Sequence, residues 1–562
     1  MLSFMATRGS RAVDDEGRQG APLTSAEPTG AGLLEDLARP EAFPEPRPAR
    51  VSVVITHASF VFLTDDTVWK VKRPVDYGFL DYSTLEKRRE SCENEVRLGA
   101  RLAPDVYLGV EPVFLGAGGF TFRGPGSIVD CAVRMRRLPD ADSALARLRS
   151  GRLGLAQLGA LCDRLAAFYR VAPRADPFGS PANLRSQIEE NLRQSSPFAG
   201  RFVAPERLAR IHHWQVAALE GARPLLRQRV REGHVREGHG DLRLEHVYFP
   251  EGPGGAGQPI VIDPIEFNAA FRCQDAALDV AFLVMELEAA GRGELAAYVL
   301  SRFAESSGDY GFFPLLDLYV GHRAWVRAKV ACFVAADPGT PAEKVMRKQS
   351  EAATLFSLAE ALTLPRPRGG PLFVVAGMIG AGKSTVAAAL GLARRAPVIS
   401  SDATRKSLAG LAPGTAGGPE LYDARATART YREMLHRADL VLRSGREVIL
   451  DGTFRTPRLR QLARALAARH GRRFLFLAVD ADDETLLARL RAREGAAGVV
   501  SDARADLLPW FRSQYQPPTE LGPDELVPID GRVPPDAIVA GIEAAVEAGM
   551  EQTPRRAAGT NP

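Results

Sequence analysis

Apolar residues follow one rhythm in the first part of this chain and another beyond residue 370. From Val51 the stretch VSVVITHASFVFLTDDTVWKVKRP reads as three short strands, with TDDT as the turn between the second and the third. From Tyr82 to Leu102 the spacing becomes helical: Leu85, Cys92, Val96 and Gly99 share one face, and Ser83 with Glu86 has the spacing of a capping box. LYVGHRAWVRAKVACFV, from Leu318 to Val334, predicts a further amphipathic helix. Its Arg323, Arg327 and Lys329 form either a solvated face, the favoured reading, or a basic patch turned towards a substrate. Past Pro371, apolar runs such as LFVVAG, EVILD and FLFLAVD alternate with helical stretches, the signature of a parallel, doubly wound sheet. The expected fold class is α/β multidomain, with an α+β domain over residues 51–362 and a doubly wound parallel α/β domain over 371–548. The Pro/Gly-rich stretch 363–370 reads as a linker, and residues 1–50 and 549–562 as disordered tails.

A length of 562 residues exceeds what one hydrophobic core supports. Lys plus Arg is 72 and Asp plus Glu is 68, a balance that argues against a broad nucleic-acid or membrane surface. The cysteines Cys92, Cys131, Cys162, Cys273 and Cys332 form no C-x-x-C pair, which speaks against a zinc site or disulfide scaffold and fits a reducing cytoplasm. No apolar run approaches a membrane span, and the first residues lack an apolar signal core.

The sharpest chemical signal is LFVVAGMIGAGKST, Leu372 to Thr385. A strand runs into Gly377-Met378-Ile379-Gly380-Ala381-Gly382-Lys383-Ser384-Thr385 and then into a helix, the spacing of a phosphate-binding P-loop. Glycines let the backbone close around phosphates, and the free N–H groups and dipole of the helix start attract anions. Lys383 reaches the β- and γ-phosphates in such a loop and Ser384 ligates Mg²⁺. Two more predicted strands end in an acid followed closely by a base: Asp402 with Arg405, and Asp451 with Arg455. At the carboxyl edge of a parallel sheet these are placed for catalysis. Asp451 would support the metal, Asp402 would orient an acceptor hydroxyl, and the arginines would meet a substrate anion. The bland alternative for each aspartate is a helix N-cap. Arg489 and Arg493 share a helix face before a Gly-rich segment, which is either a phosphate-neutralising lid or a solvated surface.

Upstream, Lys70 and Lys72 lie on the third predicted strand and Glu95 on the following helix, with Glu93 as its close rival. HGDLRLEH places Asp241 and His246 in one loop, and VIDPIEFN places Asp263 at a strand end. Lysine, glutamate, catalytic-loop aspartate and metal aspartate in that order are the working parts of a protein-kinase-like site. One lysine would hold phosphate, Lys70 by preference, and the other would face solvent at the strand end. Asp241 would serve the acceptor hydroxyl, and Asp263 with His246 would face the metal.

On these motifs, residues 51 to 360 resemble the aminoglycoside phosphotransferase-like family, relatives of protein kinases. His246 stands where that family has Asn, and no clear G-x-G-x-x-G loop precedes the lysine strand. Residues 370 to 548 resemble the gluconate-kinase, zeta-toxin-like and polynucleotide 5′-kinase branch of P-loop proteins, and the whole resembles bacterial proteins that fuse the two. The resemblance implies a protein-kinase-like bilobal N-terminal domain, ATP and Mg²⁺ as cofactors, and phosphoryl transfer to a small-molecule hydroxyl. The alternatives are a nucleotide-binding regulatory protein with a pseudokinase half, or a polynucleotide 5′-hydroxyl kinase.

Overall fold

The computed structural model describes residues 30–551, apart from 57, 79, 253–254, 367–369, 412–414, 416 and 494–504. The chain divides into two compact units. Of the described residues, the first contains those up to Ala289 together with Leu318–Leu364, and the second contains Ala290–Asp317 and those from Pro365. No helix among the described residues is long and apolar enough to cross a membrane.

In the first unit a six-stranded antiparallel sheet is built from β1 (Ser52–Ile55), β2 (Ser59–Leu63), β3 (Thr67–Lys72), β4 (Tyr107–Gly116), β5 (Gly119–Thr121) and β6 (Ser127–Arg136). Its order is β1-β2-β3-β6-β4-β5. The three strands expected after Val51 are present. One face carries α1 (Gly30–Leu37), whose Leu33 and Leu37 join Phe43, Phe62, Trp69 and Phe122 in an apolar cluster. The segment 30–50, expected within a disordered tail, is therefore part of this unit up to its cluster at Phe43. Its apolar residues are few but large, and the sheet gives them somewhere to pack.

The other face carries α2 (Leu85–Gly99), which packs on β4 and β6. The expected capping box is displaced by one residue: Thr84, not Ser83, is the N-cap and accepts from the Lys87 N–H. The buried side of α2 includes Cys92 and Gly99, as expected, but also Arg88, Ser91 and Glu95. A helix that buries so many polar groups is paired to something specific, and those partners define the site below. The rest of the first unit is mainly helical, including α3 (Ala276–Ala289) and α4 (Ala342–Ala361).

In the second unit β7 (Leu372–Gly377), β8 (Val398–Ser400), β9 (Val448–Asp451), β10 (Phe474–Asp480) and β11 (Leu526–Asp530) form an all-parallel sheet in the order β8-β9-β7-β10-β11. Every residue of β7 is buried, as a central strand covered on both faces requires. Helices α5 (Lys383–Arg394), α6 (Ser401–Leu408), α7 (Ala424–Arg443), α8 (Pro457–Arg469) and α9 (Asp483–Arg493) alternate with the strands, followed by α10 (Leu508–Gln514) and α11 (Pro535–Glu551). Residues 290–317, assigned to the N-terminal domain by the sequence, pack here instead. The Val398 N–H donates to Ser301 Oγ at 3.1 Å, and the Arg437 guanidinium lies 5.0 Å from the Tyr310 ring.

Candidate functional site

The P-loop forms as its spacing demands. Gly377 has φ 142°, and a Cβ there would lie 1.9 Å from the Val479 carbonyl oxygen, so only glycine fits between β7 and β10. Gly382, at φ 96°, caps α5 in the left-handed region and aims the next N–H groups along the helix axis. Lys383 Nζ donates to the Met378 carbonyl at 2.6 Å, which folds its side chain back over the loop. Ser384 Oγ donates to Asp451 Oδ2 at 2.7 Å, joining the start of α5 to the end of β9. Burial pushes the Asp451 carboxyl up to about 6, against the pull of Lys383 and the Ser384 hydrogen bond.

Gly380, Gly382, Lys383, Ser384, Asp402, Arg405, Asp451 and Arg455 line one cavity of about 460 Å³. Asp402 does not cap its helix. Ser400 is the N-cap of α6, accepting from the Ala403 N–H, and Thr456 occupies that position for α8. The N-cap reading of both aspartates is thereby removed; Asp451 ends β9, whereas Asp402, expected at the end of its strand, is the second residue of α6, and both line the cavity. Arg405 donates to the Leu421 carbonyl at 2.7 Å and stacks 4.6 Å from the Tyr422 ring centroid. Arg455 stacks 4.9 Å from the Trp510 ring. Arg489 lies outside this wall. It donates to the carbonyls of Ala381 at 3.3 Å and Gly531 at 2.9 Å, tying the loop to the segment after β11. Met378, Ile379 and Ala381 are buried in the core beneath the loop, and Thr385 follows Ser384 in α5. The Arg493 side chain and the Gly-rich segment after it lie outside the described residues.

Several residues of this cavity carried no signal in the sequence. Tyr431 shares a hydrogen bond with Thr453 Oγ1 at 3.0 Å and accepts from the Phe454 N–H at 3.1 Å, fixing the turn after β9. Trp510, with Phe511 edge-on at 5.0 Å, forms the far wall. The adjacent aromatic pair Trp510-Phe511 is the feature of the sequence that could have found this wall.

In the first unit, Lys70, Lys72, Asp241, His246 and Asp263 line a cavity of about 210 Å³. Lys70 Nζ lies 3.0 Å from Glu95 Oε1 and 2.7 Å from Asp263 Oδ1. Lys72 lies 2.5 Å from Glu95 Oε2 and also pairs with Glu266. Neither lysine faces solvent, which corrects the expectation for one of them: Lys72 is 1% exposed. Glu95 is buried while its rival Glu93 is exposed. Glu266, which the sequence reading gave no role, also accepts from Tyr82 at 2.5 Å and from Ser91 at 3.2 Å. Burial opposes the charge on both lysines, yet the carboxylates prevail and hold them above the ordinary lysine value. Burial likewise opposes ionisation of Asp263, but Lys70 and His246 keep it well below the usual carboxylate range.

The loop carrying Asp241 is held from below. Asp279 on α3, fully buried, accepts from the N–H groups of His239 at 2.7 Å and Gly240 at 2.9 Å. His246 Nδ1 lies 2.9 Å from the Asp241 carbonyl oxygen, and its Nε2 lies 3.6 Å from Asp263 Oδ2. Asp263 sits at φ 63°, a strained position for a non-glycine residue. Arg323, Arg327 and Lys329, favoured as a solvated face, are buried. Arg323 donates to Gln274, Lys329 to Asn191 and Gln194, and Arg327 to Glu351 at the cavity wall.

Residues 372–518 match the AAA domain family. A Mycobacterium tuberculosis (strain H37Rv) protein described as uncharacterised is 32% identical over 466 residues, which span 81% of this chain and 88% of that protein. Among solved structures, a gluconokinase from Sinorhizobium meliloti 1021 is 21% identical and covers 33% of this chain and 96% of its own, with a TM-score of 0.26. A choline/ethanolamine kinase family protein from Mesorhizobium loti is 13% identical and covers 59% of this chain and 99% of its own, with a TM-score of 0.36.

Proposed function

This chain belongs to the family of that mycobacterial protein, and we propose that it is an ATP-dependent phosphotransferase acting on a hydroxyl group of a small molecule, with its working site at the P-loop. The observation that carries this reading is the convergence of Lys383, the Ser384–Asp451 pair and the non-capping Asp402 on one cavity. The loop N–H groups hold the phosphates. Lys383 exchanges the Met378 carbonyl for the β- and γ-phosphates and neutralises charge as the phosphoryl group moves. Asp402 orients the acceptor hydroxyl and takes its proton. Arg405 and Arg455 face the acceptor, and Arg489 serves the phosphates from the other side of the loop.

Ser384 and Asp451 offer the hard oxygen donors that Mg²⁺ prefers, and Mg²⁺ usually takes one or two carboxylates beside substrate phosphates. When bound there it would supply charge neutralisation between the phosphates. The kinase-like site fits that ion poorly. The two oxygens of Asp263 face Lys70 and His246, and an imidazole stands where an oxygen donor would suit Mg²⁺. No step is therefore routed through a metal at Asp263. This favours a second reading for the N-terminal unit, as a nucleotide- or ligand-binding module that regulates rather than turns over.

The test is a phosphorylation screen: purified chain, γ-labelled ATP and Mg²⁺ with a metabolite extract, and then with sugars, aminoglycosides, nucleosides and 5′-hydroxyl oligonucleotides. Label should enter a small molecule and disappear with Lys383→Ala. Tight ATP binding with no labelled acceptor in any arm would sink the enzyme reading.

A further inference from the structure

The sheet order separates two sides of the P-loop. Asp402 follows β8 and Asp451 ends β9, on one side of β7; Arg489 and Gly531 follow β10 and β11, on the other. Two cations from the first side hold the aromatic wall of the cavity, although Trp510 itself lies on α10, after β10. Tyr422 is stacked by Arg405 of α6, and Trp510 is stacked by Arg455, just after β9. This wall belongs with the acceptor rather than with the nucleotide tied near Arg489.

Its chemistry is specific. Arg405 is 7% exposed, and its buried Nε–H has no hydrogen-bond partner among the described residues. Its guanidinium nonetheless lines the cavity, with one N–H donated to the Leu421 carbonyl, so an anion there would meet a permanent cation with a planar fork of donors. Trp510 is 45% exposed although it lines the cavity, and Arg455 and Phe511 brace its indole. A braced, accessible indole is a stacking platform for a flat ring.

We propose that the acceptor taken at this site is a hydroxyl compound carrying both an anionic group, bound by Arg405, and a flat unsaturated ring, stacked on Trp510. This rests on the phosphotransferase reading above. The acceptor oxygen forms its bond to the γ-phosphorus as the bond from that phosphorus to the bridging oxygen breaks. ADP leaves with the bond's electron pair, and the hydroxyl proton passes to the Asp402 carboxylate.

Three probes isolate the two features: para-(hydroxymethyl)benzoate, benzyl alcohol without the anion, and para-(hydroxymethyl)cyclohexanecarboxylate without the flat ring. Each is titrated by ligand-observed NMR into the full chain saturated with a non-hydrolysable ATP analogue, which keeps the probes off the nucleotide side. The benzoate should bind about tenfold or more tighter than either control, the scale of one ring stack or one ionic hydrogen bond. Trp510→Ala should abolish its advantage over the cyclohexane acid, and Arg405→Gln its advantage over the alcohol. Trp510→Phe, which keeps a ring, should restore most of the former. Equal binding of the three probes would overturn the proposal. So would a Trp510→Ala variant that loses affinity for the ATP analogue instead of the benzoate, because the wall would then hold the nucleotide base. Binding is read without turnover, so absent phosphoryl transfer with this binding pattern intact would count against the catalytic reading alone.

Discussion

In the N-terminal unit Lys70 and Lys72 share Glu95, and each also holds a second carboxylate, Asp263 or Glu266. In the C-terminal unit Lys383 rests on a backbone carbonyl, and Asp451 takes a hydroxyl from Ser384. The same kinds of group are thus held in opposite electrostatic conditions. Asp263 is kept ionised by the cations around it, whereas burial drives Asp451 towards its protonated form. A ligand phosphate entering the first site must compete with carboxylates already bound to its lysines. A phosphate entering the second displaces a neutral carbonyl. On this comparison the proposed phosphate site is the second one.

The largest expected effect tests how closed the first network is. Lys72→Met would leave Glu95 and Glu266 sharing less positive charge in a buried setting, and should cost about 3–5 kcal/mol in denaturant unfolding. Lys70→Met should cost less, because the Lys70 side chain is 17% exposed. Equal, negligible losses would mean that the network does not hold this lobe together.

Next comes pH. The Asp451 carboxyl is raised from 3.8 to about 6, so the folded state binds this proton more tightly than the unfolded chain does. The stabilisation is fully present below about 4 and is lost as pH rises through about 6. The shift corresponds to about 3 kcal/mol. Stability curves of the nucleotide-free protein and of Asp451→Asn should therefore diverge between those values, with the wild type falling faster as pH rises. Parallel curves would contradict the burial argument.

A smaller effect is expected at Arg489. Removing its bonds to the Ala381 and Gly531 carbonyls with Arg489→Ala should weaken ATP-analogue binding about tenfold, since charged hydrogen bonds are worth about 1.5–3 kcal/mol. Calorimetric titration measures it, and an unchanged affinity would release Arg489 from the nucleotide side.

The second unit was the more legible in sequence for a physical reason. Its strands are continuous apolar runs, its glycines sit at positions that sterics impose, Asp451 ends β9 and Asp402 follows β8 at the start of α6, all of which are local patterns. The first unit hides its chemistry in pairings between distant residues. Lys72 meets Glu266, and Arg327 meets Glu351, so charges that look solvated in a helical pattern are buried. The same limit concealed the packing of Ser301 against Val398, the contribution of Leu33 and Leu37 to the sheet core, and the meeting of Arg455 with Trp510. The capping box misplaced by one residue at Thr84 is of another kind: neighbouring Ser and Thr offer equivalent hydroxyls, and only the backbone chooses between them.

The central claim, that the P-loop unit is the working site, is tested most directly by ATP consumption with the acceptor mixture for Lys383→Ala and Asp241→Asn, each in the full chain. Lys383→Ala should lower turnover by about 10²–10³-fold, the scale of losing one group aimed at transition-state charge, while Asp241→Asn should leave it within about twofold. A loss confined to Asp241→Asn would contradict the account and move the chemistry to the N-terminal unit.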